Sequence, residues 1–168
     1  RAIAALGDEV RYYRRHRANT AFIAECAAAI GELKTAGASG ELLAETARRA
    51  GSEKLAELAL IYAATEAAIE GKAIDPSDRI TRAADRLDGD LFAETWIYLD
   101  DFDGFTAPEY ALLRRLLPAS AGMTVTLCCD ELTDRQGGFG LFSPVKRTGQ
   151  RLIRLAKKEG VAVGRPTL

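Results

Sequence analysis

Three carboxylates, Asp100, Asp101 and Asp103, stand directly after a short apolar run and directly before a strongly helical one in the stretch WIYLDDFDGFTAPEYALLRRLL. An apolar strand that ends in Asp can hold magnesium, directly or through water, and an adjacent acid can activate the water that attacks a nucleoside triphosphate. Asp100 has the position of such a magnesium ligand, and Asp101 that of the second acid. The same pattern also closes ordinary strands. An isolated pair of acids at the end of a buried run is more often a polar rim than a site.

Two runs of cations are the other candidates. Arg11, Arg14, Arg15 and Arg17, with His16 among them, are expected to line one helical turn and its neighbour, and Lys146, Arg147, Arg151 and Arg154 fall on the last predicted helix. Clustered cations favour phosphates. Such runs are also common as solvated helix faces whose charge nearby acids offset. Tyr12 and Tyr13 offer rings either for base stacking or for half-buried packing. Tyr62, Trp96, Tyr98 and Phe102 are expected in the core or at a domain seam, while Phe105 and Phe142 lie in predicted loops and fit either role. Three cysteines cannot all pair, and Cys128 and Cys129 read as small buried hydrophobes in an apolar stretch. A zinc site would need a second ligand pair, and the one histidine is far away in sequence.

Composition narrows the class. The chain has 168 residues, 48% of them hydrophobic, enough to build a core. Lys and Arg number 23 against 24 Asp and Glu, so no global field selects a polyanion and any such contact must be local. The sequence opens at Arg1 and shows neither a leader nor an apolar run long enough for a bilayer, which predicts a soluble piece of a longer cytoplasmic protein.

The elements that must position these residues come in two styles. Up to about Leu87 the text predicts helices. One runs from Thr20 as cap to a stop near Gly37, with Phe22, Cys26, Ile30 and Leu33 as its apolar stripe; a second spans Ser39 to Gly51. Ser52 caps a third that ends at Gly71 and carries Leu55, Leu58, Tyr62 and Ile69 on one side. After a connector at Lys72 to Ile74, Asp75 and Pro76 open a fourth with Ile80, Ala83, Ala84 and Leu87. Near Asp88 the style changes. Trp96 to Leu99 suits a strand covered on both faces, and Met123 to Asp130 a second strand. Between them, Thr106 and Glu109 have capping-box spacing with Pro108 in the first turn, and Pro118 closes the helix. Strand, helix, strand is the unit of a parallel sheet. Gly137, Gly138 and Gly140 mark a loop, Ser143 caps a last helix, and Val161 begins a possible third strand.

On these residues the chain resembles a known family. TWIYLDDFDGFTAPEYALLRRLLPASAGMTVTLCCD is similar to the second conserved helicase motif and its following helix in the UvrD-like superfamily, with Asp100 at the Asp position and Asp101 at the Glu. Asp103 and Gly104 replace the Gln and the last Asp of that motif. More specifically, GFTAPEYALLRRLL followed by a T-V-T-L-x-x-D strand and LFSPVKRTGQRLIRLAKKEGV resembles the B subunit of AddAB (RexAB) helicase-nucleases, with Phe142, Ser143, Pro144 and Thr148 matching a characteristic helix start. The helical text from Ile30 to Leu87 is similar to the insertion of that subunit's first RecA-like domain.

The resemblance implies an α/β fold: a partial RecA-like, P-loop helicase-type parallel sheet with a large all-helical insertion lobe. Residues 1–90 are then the lobe and 91–168 part of the core. It implies a non-motor subunit that works with an A-type motor and nuclease subunit on DNA ends in double-strand break repair by recombination. Asp100 and Asp101 become a degenerate Walker B pair, and the piece is expected to be inactive alone. ATP with magnesium and an iron-sulfur cluster belong to the full complex, because the sequence shows no G-x-x-x-x-G-K-[ST] loop and no spaced cysteine set. The alternatives are a piece of an active ATP-binding helicase whose Walker A segment lies elsewhere, and a helical protein-protein adaptor.

Overall fold

The computed structural model describes residues 2–71, 75–87, 90–133 and 139–167. Seven α-helices and two β-strands are present among them, so the protein is mostly helical with a small parallel sheet. The chain divides into two compact units, Arg1–Arg79 and Ile80–Leu168.

The first unit is helical, as its text predicts. α1 (Ala2–Leu6) runs into a short 3-10 turn, and α2 (Thr20–Thr35), α3 (Gly40–Ala50) and α4 (Glu53–Ile69) follow. Local chemistry fixes the ends. Ser39 and Ser52 accept the backbone N–H of Leu42 and Leu55, and Gly51 takes the left-handed conformation that closes α3. For α2 the cap is Asn19 rather than Thr20, because the Asn19 side chain accepts the N–H of Ala21. The core gathers Ile3, Val10, Cys26, Ile30, Leu43, Ala59, Ile61 and Tyr62, with Phe22 and Leu33 packed against it. Burying Ile61 alone is worth about 1.5–3 kcal/mol. Asp75 accepts from Ser77 and opens a 3-10 turn before α5 (Arg79–Asp85), of which Ala84 is buried while Ala83 is exposed. The connector at Lys72 to Ile74 lies outside the described residues.

In the second unit, β1 (Trp96–Leu99), α6 (Ala107–Ala119) and β2 (Gly122–Val125) form a parallel pair with its crossover helix. The register sets Trp96 opposite Gly122 and Leu99 opposite Val125. The predicted capping box is present in both directions between Thr106 and Glu109. Pro118 sits inside the last turn instead of beyond it, where it has no N–H to give the Arg114 carbonyl, and the helix ends one residue later. α7 (Ser143–Lys158) starts from Phe142; Ser143 turns back to accept from Gly140 and so does not cap.

Several expectations change. β1 is not covered on both faces: its exposure alternates, with Trp96 and Tyr98 on an open side at 53% and 72%. Phe102 is likewise 37% exposed, so of the four aromatics expected in the core or at a domain seam Tyr62 alone lies in the core. β2 stops at Val125, short of the Cys128 to Asp130 sequence, and Val161 begins no strand among the described residues. Cys128 is exposed and Cys129 half-buried, because the segment leaves the ladder; Cys26 is the buried thiol. Gly137 and Gly138 lie outside the described residues. No helix is long and apolar enough to cross a membrane among the described residues.

Candidate functional site

Parallel pairing decides the surroundings of the acidic strand end. The ladder continues one step past β2, where the N–H of Thr126 donates to the carbonyl of Leu99 at 2.9 Å. That step sets the Thr126 hydroxyl against Asp100, to whose carboxylate it donates. Asp101 then takes a left-handed conformation with φ 63°, which Asp tolerates better than most residues, and the chain turns off the strand. Phe102 stacks on Phe105 at 4.9 Å, and Phe105 meets Tyr110 edge-on at 5.6 Å, so these aromatics anchor the turn to α6. From α7, the buried Thr148 donates to the carbonyl of Asp103 at 2.9 Å while also lying 3.2 Å from that of Pro144.

The three acids are all exposed, and among the described residues they do not converge as a set of three ligand oxygens. Thr126 engages one Asp100 oxygen and leaves the other open, and magnesium is ordinarily held by one or two carboxylates with water and phosphate completing its shell. The carboxylates that do converge are Glu66, Asp75 and Asp78. Their centre is filled by the Lys34 ammonium at 2.7, 2.7 and 2.9 Å, a side chain 5% exposed. That arrangement joins α2, α4 and the 3-10 turn as an ion-pair network. Burial lowers the Lys34 pKa, but the hydrogen bonds with Asp75, Glu66 and Asp78 outweigh it and the net shift is upward.

The cations divide by what already holds them. Arg11, Arg14, Arg15 and His16 are exposed, but on an irregular turn rather than on a helix. Glu57 takes three successive backbone N–H groups there, those of Arg11, Tyr12 and Tyr13. Arg17 is committed locally, donating to the Gly7 carbonyl at 2.6 Å and pairing with Asp8 at 3.3 Å. On α7, Lys146 is buried, paired with Asp130 at 2.7 Å and 3.4 Å from the Thr133 carbonyl, so it faces inward. The Lys146 hydrogen bond holds the Asp130 carboxyl below its ordinary pKa. Arg147, Arg151 and Arg154 remain exposed. The Arg151 guanidinium lies 3.7 Å from the centroid of the Tyr110 ring, a cation–π contact that steadies it beside a groove of about 340 Å³. Arg114 and Lys158 also line that groove.

Sequence reasoning missed Lys34, Glu57, Thr126, Arg114 and Lys158. Lys158 carries a faint signal, since Arg151, Arg154 and Lys158 are spaced to share a helix face. The others have none, because their partners lie far along the chain.

A model of the family described as ADDB, N-terminal, matches residues 1–168. The B subunit of the ATP-dependent helicase/deoxyribonuclease of Desulforudis audaxviator is 36% identical over 99% of the chain and 15% of its own length. The corresponding B subunits of Moorella thermoacetica and Pelotomaculum thermopropionicum are 34% and 32% identical, each over 96% of the chain and 15% of the relative. The chain thus spans about 15% of the length of these curated relatives.

Proposed function

Because the chain belongs to the ADDB N-terminal family over residues 1–168, we propose that it is a non-motor segment of the B subunit of an ATP-dependent helicase/deoxyribonuclease, one that grips DNA and docks the subunit carrying the motor. In this reading residues 91–168 are part of a RecA-like core and residues 1–90 its helical insertion lobe. The β1–α6–β2 crossover supports the first assignment. The cellular task is processing of DNA ends in double-strand break repair by recombination, in the cytoplasm. Nucleotide, magnesium and an iron-sulfur cluster are assigned to other parts of the complex.

The observation that carries the reading is the match to the ADDB N-terminal family over residues 1–168, beside which no convergent set of acids surrounds Asp100 among the described residues. Asp100 and Asp101 are then the remnant of a magnesium and water-activating pair. Asp101 reaches one methylene less far than a Glu would, a displacement on the scale that lowers rates about a hundredfold. We assign phosphate contact to Arg11, Arg14 and Arg15 on the turn and to Arg147, Arg151 and Arg154 on α7, and not to Arg17 and Lys146, which serve internal bonds.

Magnesium-ATP titration of the intact subunit and of its Asp100→Ala variant tests this. Equal affinities are expected. A tenfold loss in the variant, about 1.4 kcal/mol, would overturn the remnant reading in favour of a working nucleotide site.

A further inference from the structure

The turn after α1 holds four arginines in the seven residues Arg11–Arg17. Such a run repels itself, and with no helix to hold it, it would sample many conformations. Here it is fastened from beneath. The carboxylate of Glu57, a residue only 9% exposed in the second turn of α4, accepts the backbone N–H of Arg11, of Tyr12 and, at 2.9 Å, of Tyr13. Successive backbone donors aimed at one anion make a nest, and the chain supplies that anion itself. Val10 is fully buried on one side of the fastening, and Tyr13 packs on Phe22 at 4.8 Å on the other. Further along, Arg17 ties the turn to Gly7 and Asp8. The backbone is therefore fixed while Arg11, Arg14, Arg15 and His16 point outward and Tyr12 is 55% exposed.

We infer that the turn Val10–Asn19 is a preorganised contact for a single nucleic-acid strand, and that Glu57 is the residue that positions it. The inference rests on the DNA reading above. Arg11, Arg14 and Arg15 meet phosphates without regard to sequence, and Tyr12, set between arginines, offers a ring to a base. Glu57 acts through the backbone alone. Fixing the loop before the strand arrives removes an ordering cost that binding would otherwise bear, and its negative charge offsets the repulsion among the cations above it.

The test titrates the intact subunit with a single-stranded oligonucleotide at several salt concentrations. Arg14→Ala combined with Arg15→Ala is expected to lower the slope of log K against log salt by about 1.4, two single-strand contacts at about 0.7 each. Glu57→Gln keeps the side chain's size but turns one acceptor oxygen into a donor that faces N–H groups. It is expected to weaken binding by about threefold to tenfold in the native background and to add little once Arg14 and Arg15 are gone. An unchanged slope and affinity in the arginine variant would mean that this turn does not meet nucleic acid. An arginine effect without a Glu57→Gln effect, or a Glu57→Gln effect of equal size in both backgrounds, would overturn the positioning role alone. If Glu57→Gln fails to fold, hydrogen exchange of the unmodified subunit decides the positioning. The amides of Arg11 to Tyr13 should then be protected by about a hundredfold or more without DNA, and exchange at an open-loop rate overturns it.

Discussion

At the scale of single residues, Lys34 carries the clearest energetic role. Its ammonium is buried among Glu66, Asp75 and Asp78, whose side chains keep 44%, 21% and 24% of their exposure. Removing it leaves three like charges facing one another. Lys34→Met is expected to destabilise the first unit by about 2–3 kcal/mol, below the usual cost of breaking a buried pair because solvent reaches the carboxylates. Urea unfolding of the intact subunit measures it. The pH dependence follows from the shifts. The Lys34 hydrogen bond holds Asp75 below its ordinary pKa, so that contribution is full above about pH 4 and lost as pH falls through the depressed value. Lys34 is raised, so its contribution is full below about pH 10 and lost as pH rises through the higher value. Unfolding midpoints should stay level between these limits and fall at both ends, and Lys34→Met should flatten both.

At the scale of elements, two contacts hold the βαβ unit. Thr106→Ala removes one half of the capping box at the start of α6 and is expected to cost about 1 kcal/mol, read from hydrogen exchange along that helix. Gly122 answers to a different constraint. A Cβ there would lie 2.6 Å from the Trp96 ring, and the indole is held by its own hydrogen bond to Thr124 at 3.0 Å. Gly122→Ala therefore displaces a large ring, with an expected cost of about 1–3 kcal/mol and faster exchange of the β1 and β2 amides. Much of this was legible in the text. The Ser39, Ser52 and Thr106 caps and the Gly51 stop each depend on residues within four positions of one another. The basic turn was not legible, because Arg11–Arg17 is a fair helix by composition and the carboxylate that fastens its backbone lies 44 to 46 residues away.

At the scale of the whole molecule, the division into Arg1–Arg79 and Ile80–Leu168 predicts separable opening. Lys34→Met should speed hydrogen exchange through α2 and α4 while α6 and α7 keep their native rates. Uniform acceleration across both units would contradict the division. The nearly balanced charge of the chain also means that contact with polyanions rests on local groups. The turn at Arg11 to Arg15 and the groove beside Arg151 are places where clustered cations stay exposed to solvent.

The sequence by itself determined most of the helices, the Ser39, Ser52 and Thr106 caps, the change of style near Asp88 and the parallel strand pair, because periodicity and capping are short-range properties of a chain. It also carried the family, through motifs spread along nearly its full length. Only the tertiary structure decided which charged side chains are free to meet a ligand. Lys34, Lys146, Arg17 and Glu57 look in the text like any other surface charge, yet each is bonded to groups brought near by folding. Whether an ion faces water or a partner depends on long-range packing, to which composition and spacing are blind.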